Sequence, residues 1–115
     1  MAELDGPEEG TADRTAYAEI LTGTDAGGAP VVTVSGEIDL SNTADLEAKV
    51  AQATEGRPDT LVFDLKDLRF MDSAGIAVLL GAASRVGTVR LRAPSPAVAR
   101  VVELTGLTEV LKIEP

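Results

Sequence analysis

Between Thr60 and Leu65 the chain reads TLVFDL, a run of strand length that is apolar almost without interruption. A strand with one wet face alternates apolar and polar residues, whereas an unbroken apolar run is the mark of a strand covered on both faces, the usual setting of parallel strands. Parallel neighbours cannot be joined by a tight turn and need crossover connections, most often helices. The chain supplies one shortly afterwards. SAGIAVLLGAASR, from Ser73 to Arg85, is apolar nearly all round, so a helix there must be deeply packed. These two segments direct the chain towards an α/β domain.

The flanking segments fit that frame. Tyr17–Thr22 reads as a short strand, Gly23–Pro30 (GTDAGGAP) as a long flexible turn, and Val31–Asp39 (VVTVSGEID) as a β-branched, alternating strand hairpinned to the first. The glycine-rich turn lacks the GxGxxG or GxxxxGK spacing that cradles phosphate, so it reads as a plain hairpin loop. Ser41-Asn42 offers a helix N-cap, with Asp45 three residues after Asn42 in a box-like arrangement. Leu46, Val50 and Ala53 follow at helical spacing, and Gly56-Arg57-Pro58 stops that helix. Lys66–Met71 reads as a connection, and Asp72-Ser73 caps the apolar helix, which Gly87 ends. Thr88–Arg92 is another short strand. Ser95-Pro96 pairs a cap with proline at the first helical position, the helix reaches Leu104, Gly106 terminates it, and Val110–Ile113 is a last strand.

The order β-β-α-β-α-β-α-β predicts one α/β domain over 15–115, with a mostly parallel sheet, an N-terminal antiparallel hairpin and helices packed on the sheet. Residues 1–14 are acidic, contain Gly6, Pro7 and Gly10, and show no apolar periodicity, which predicts a disordered tail. A length of 115 residues suits one core and is too short for two.

Composition removes most chemistry. Cysteine and histidine are both absent, which excludes disulfides, thiol nucleophiles, imidazole bases and Cys/His zinc sites. The net charge of −9, from 19 Asp and Glu against 10 Lys and Arg, argues against nucleic acid and anionic membrane as partners. With one Tyr, two Phe and no Trp, an aromatic stacking platform is not expected. No apolar run approaches the roughly 18–20 residues of a membrane span, and the polar N-terminus is unlike a signal peptide, so the expectation is a cytoplasmic domain that needs no cofactor.

In open sheets of this kind, function gathers where strand C-termini meet helix N-termini, here Glu37–Asn42, Lys66–Gly75 and Arg92–Pro96. In LRFMDSAG (Leu68–Gly75), Asp72 and Ser73 stand where unpaired N–H groups and the helix dipole favour negative charge. A phosphate on Ser73 would be tolerated there, and Ala74 and Gly75 leave the hydroxyl approachable; taken alone, the pair reads equally as a helix cap. Glu37 and Asp39 project to one face of an extended segment, a pattern open to a metal or acid–base pair and equally to a solvated strand end. Asp64 stands in a buried run as a phospho-accepting aspartate of the receiver type would, but that chemistry wants an acidic pair on the first strand, and Tyr17–Thr22 offers only Glu19.

Taken together, VVTVSGEIDLSNTADL, LVFDLKDLRFMDSAGIAVLLGA and APSPAVARVVELTGLTEVLKI resemble the STAS family of anti-sigma factor antagonists, in that family's order and spacing, over roughly Ala16–Ile113. The longer acidic tail and the long glycine-rich turn depart from the family pattern. The resemblance implies a partner-switching module and not an enzyme. Its partners would be an anti-sigma factor that is itself an ATP-dependent serine kinase, which phosphorylates Ser73, and a metal-dependent serine phosphatase that resets it. Unmodified, such a protein binds the kinase and frees the sigma factor; phosphorylated, it lets go. The resemblance also carries Asp39 and Glu37, with Asp72, Ala74 and Gly75 around Ser73, over as partner contacts. The alternative is a STAS scaffold or transport-accessory module that docks a larger assembly without being phosphorylated.

Overall fold

The apolar run forms β3 (Thr60–Asp64), and it is central. A computed structural model describes residues 17–114; the acidic segment 1–14 lies outside them. β1 (Ala18–Thr24) pairs antiparallel with β2 (Pro30–Ile38), and β2, β3, β5 (Thr88–Arg92) and β6 (Leu111–Glu114) follow in parallel. A sixth strand, β4 (Leu68–Met71), continues the line of β3 and pairs with the last part of β2. The helices are α1 (Thr43–Ala53), α2 (Ser73–Ala83) and α3 (Pro96–Leu104). The architecture is the expected one, with the strands of the hairpin one or two residues displaced.

One expectation changes. Lys66–Met71 is not merely a connection, because its last four residues are β4. Its inward residues, Leu68 and Met71, are separated by exposed Arg69 and Phe70, so it lacks the alternation that marks a strand. Pairing with β2 imposes the conformation instead. β3 is buried on both faces as expected, with Leu61 and Phe63 on one and Val62 on the other, but the helices lie on only one of them. Leu46 and Val50 of α1, Ile76 and Leu79 of α2, and Val98 and Val102 of α3 join Val32, Val34, Leu61, Phe63, Val89 and Leu91 in one core cluster, on one side of the sheet. On the other side, Val31 and Val62 are buried among Thr33, Asp64, Arg90 and Arg92, and the ion pairs Arg90–Glu114 and Arg92–Asp25 lie over that face.

The glycine-rich turn is a hairpin loop organised by Asp25, whose Oδ1 accepts from the N–H groups of Gly27 (3.0 Å) and Ala29 (2.9 Å). At the far end of β2 the register shifts between Gly36 and Glu37. Gly36 has φ +94°, and a Cβ on it would fall 2.3 Å from the Tyr17 carbonyl oxygen, so both backbone and space require glycine at this bulge. The bulge bends β2 and lets β4 take up pairing beyond β3.

Candidate functional site

Two turns meet at the carboxyl end of β2 and β4. The Asp72 N–H donates to the Ile38 carbonyl at 3.1 Å, which holds the start of α2 against the segment Asp39–Asn42. Below them Ile38, Met71 and Ile76 are buried, so the surface turns rest on the core. Gly75 allows this approach: a Cβ there would lie 2.5 Å from Met71 Cγ and 2.9 Å from Ile38 Cγ2.

Asp72 is the N-cap of α2. Its Oδ1 accepts from Ala74 N–H at 2.9 Å and Gly75 N–H at 3.3 Å, satisfying two of the groups that a helix start leaves unpaired. Ser73 is therefore the first helical residue and not the cap, and it is exposed. Ala74 is half-buried beside it. Gly75 is buried, so it acts through packing and offers no side-chain surface to a partner.

The acidic turn is held differently from the expected capping box. Asn42 occupies the N-cap position of α1 without a side-chain cap bond. Its Nδ2 donates to the Glu37 carbonyl at 2.9 Å and its Oδ1 accepts the Asp39 N–H at 3.0 Å, so this side chain braces the turn instead. Asp39 Oδ1 in turn accepts from the Ser41 hydroxyl (2.6 Å) and the Ser41 N–H (2.8 Å). Those two bonds, the hydroxyl first, hold the Asp39 carboxyl below its ordinary pKa, so it is an anion at neutral pH. Glu37 instead faces Arg69 on β4 at 3.7 Å, an exposed and weak pair. The two carboxylates thus have separate partners and do not form a joint acid–base or metal pair. No group of three or more metal-ligating side chains occurs among the described residues. Asp64 lies apart, its Oδ1 accepting the Lys66 N–H at 3.2 Å in the turn to β4.

Sequence reasoning missed two apolar residues at this end. Leu40, between Asp39 and Ser41, is 80% exposed, and Phe70, two residues before Asp72, is 50% exposed. An apolar side chain inside a polar turn was the available signal for Leu40. Phe70 had none, because its outward aim follows from the strand it sits on. Ser73, Asp39 and Leu40 make one acidic, partly apolar surface with a hydroxyl at an anchored helix start.

Such a surface on a one-sided α/β sheet suits a regulatory binding module. The family model described as "Mlab, STAS domain" matches residues 22–113. The anti-sigma-F factor antagonist RsfA of Mycobacterium tuberculosis is 37% identical over 94 residues, covering 76% of this chain and 73% of that protein. RsfB of the same organism is 33% identical over 67 residues, 58% of this chain, and the match spans 55% of RsfB's own length. The crystal structure of an anti-sigma factor antagonist from Mycobacterium paratuberculosis is similar with TM-score 0.77 and 30% identity over 86% of each chain. The Bacillus cell fate determinant SpoIIAA, solved in a phosphorylated form, shares the fold at TM-score 0.66 and 24% identity over 84% of this chain and 92% of that one. The chain belongs to the STAS-domain family of anti-sigma factor antagonists. Proteins so named are regulatory binding proteins and not enzymes. No helix among the described residues is long and apolar enough to cross a membrane.

Proposed function

We propose that this chain is a cytoplasmic anti-sigma factor antagonist controlled by phosphorylation of Ser73. Unmodified, it binds an anti-sigma factor that is also a serine kinase, and the sigma factor is released. The kinase transfers the γ-phosphoryl group of ATP to Ser73 Oγ, forming the O–P bond as the bond to ADP breaks and the hydroxyl proton is lost, and the phosphorylated chain dissociates. A metal-dependent serine phosphatase returns it to the binding form. The observation that carries this reading is the exposed Ser73 at the start of an immobilised helix, beside the Asp39–Leu40 turn.

The physical logic is electrostatic. Phosphate adds about −1.5 to −2 charges. The dipole at the start of α2 tolerates that charge in the isolated chain, but Asp72 already uses the Ala74 and Gly75 N–H groups. Pressed against a partner shaped for the neutral hydroxyl, the dianion would be desolvated beside the Asp72 and Asp39 carboxylates, with little left to compensate it. Reversing occupancy from 99:1 to 1:99 takes about 5.5 kcal/mol of differential binding. No refolding is needed.

The test is incubation with the cognate kinase and Mg-ATP, followed by mass spectrometry and a binding assay. Phosphate on Ser73 alone, loss of binding upon modification, and constitutive binding by Ser73→Ala are expected. Phosphate elsewhere, or release of Ser73→Ala by ATP, overturns the switch; a stable partner with no phosphate at all indicates a scaffold.

A further inference from the structure

β6 is the last strand in the sheet order, with no strand along its outer edge among the described residues. Its orientation follows from two bonds. The Val110 carbonyl accepts from Val89 N–H at 3.4 Å, and the Glu114 carbonyl accepts from Ala93 N–H at 2.8 Å. Backbone groups alternate along a strand with period two, so Lys112 also turns towards β5, while the N–H and C=O groups of Leu111 and Ile113 face outward. An open edge of this kind is a template for another chain. Of the eight exposed large apolar side chains among the described residues, Leu104, Leu107 and Val110 fall in the segment that leads onto β6, and Ile113 lies on the strand itself.

We propose that β6 pairs edge to edge, antiparallel, with β6 of a second copy of this chain about a two-fold axis at Ile113. Charge selects both occupant and register. Centred there, the two Ile113 residues exchange N–H···O=C bonds, and Lys112 of each copy stands opposite Glu114 of the other, on one face of the joined sheet. Arg90 holds the Glu114 carboxylate on that face. Centring the pair on Lys112 instead brings like charges together, which is destabilising. A second copy supplies both members of both ion pairs, a reciprocity that an unrelated edge lacks. Pairing also covers Ile113, which is 36% exposed in the single chain. Strands of four residues bury less than the roughly 1,200 Å² typical of stable complexes, so the dimer is weak and its population rises with concentration. Ser73 opens α2 just past the end of β4, with β3 and β5 between it and β6, and stays exposed in such a dimer, so edge pairing does not depend on the phosphorylation switch.

The experiment is sedimentation velocity on the full chain over a roughly hundredfold concentration range, with circular dichroism to verify that each variant is folded. The parent should form a concentration-dependent dimer. Lys112→Glu sets carboxylate against carboxylate at both cross-strand pairs with Glu114 and should raise the dissociation constant about tenfold or more. The double variant Lys112→Glu/Glu114→Lys restores complementarity and should recover most of the association. Ile113→Pro removes the outward N–H together with the isoleucine side chain, leaves the bonds to β5, and should yield a folded monomer. A parent that is monomeric at every concentration, or a dimer indifferent to both Lys112→Glu and Ile113→Pro, overturns the proposal.

Discussion

Gly75 of α2 packs so closely over Ile38 of β2 that a Cβ in its place would stand 2.9 Å from Ile38 Cγ2 and 2.5 Å from Met71 Cγ. One backbone atom thereby fixes the distance between the two turns that present Ser73 and Asp39. The glycine of the DSAG segment serves the site from underneath, by letting the helix settle onto the core.

Gly75→Ala should accordingly destabilise the chain. Overpacking a filled site costs about 1–3 kcal/mol, while alanine gains roughly 1 kcal/mol over glycine inside a helix. The buried Ile38 cannot yield easily, so the first effect should win, with a net loss of about 1 kcal/mol in chemical denaturation. Partner affinity should fall with it as α2 is lifted. An unchanged denaturation midpoint would mean that the Met71 side chain alone absorbs the methyl group.

Asn42 supplies a second test. Asn42→Ala removes the donor to the Glu37 carbonyl and the acceptor of the Asp39 N–H, and a loss of about 1–3 kcal/mol is expected from two bonds at a nearly buried position. Asn42→Asp keeps the acceptor and loses the donor, so it should fall between parent and Ala variant in thermal melts. If the Ala variant melted like the parent, the turn would not depend on this side chain.

How far such features can be read from sequence depends on whether their cause is local. The apolar helix and its start at Asp72 are legible because a nearly continuous apolar run and an acidic cap are written in consecutive residues, although the run overstates its burial, since Ser73, Ala77 and Gly81 form an exposed stripe. The central strand is legible for the same reason. β4 is not, since Leu68–Met71 lacks alternation and owes its form to β2 beyond the bulge at Gly36. Asn42 and Asp45 carry a capping pattern, yet the backbone groups of Glu37 and Asp39 capture the Asn42 side chain. That competition is decided by how β2 ends and not by the helix that follows. Likewise the spacing of Glu37 and Asp39 suggested one shared face, whereas Arg69 and Ser41 draw the two carboxylates to different partners.

The Asp39–Ser41 pair makes a titration measurable. The folded pKa of Asp39 is depressed, so the carboxylate's contribution to stability is present above its ordinary value of 3.8 and is lost as pH falls through the lower folded value. Ser41→Ala removes the larger cause of the depression. The Asp39 carboxyl resonance in an NMR titration should then move its midpoint upward, towards 3.8. Asp39→Ala should weaken partner binding and slightly lower the melting temperature, because it removes the acceptor of both Ser41 bonds at a half-buried position. A midpoint unmoved by Ser41→Ala would assign the depression to another cause.

The last prediction separates the roles of adjacent residues at the start of α2. Asp72 carries the cap, accepting from Ala74 and Gly75, while Ser73 is exposed on the first helical turn. Asp72→Ala should therefore cost about 0.5–2 kcal/mol, the usual penalty for losing an N-cap. Ser73→Ala loses no cap and exchanges serine for a better helix former, so its stability should stay within about 0.5 kcal/mol of the parent. Asp72→Asn keeps an oxygen acceptor and should retain most of the cap energy. In partner binding the order should change: Ser73→Ala should bind and resist release by ATP, and Ser73→Asp, with one charge and no phosphate geometry, should mimic release incompletely. Thermal melts and binding measured side by side on the four variants decide the matter. A Ser73→Ala protein as destabilised as Asp72→Ala would return the capping role to the serine hydroxyl and undo the division of labour between the two residues.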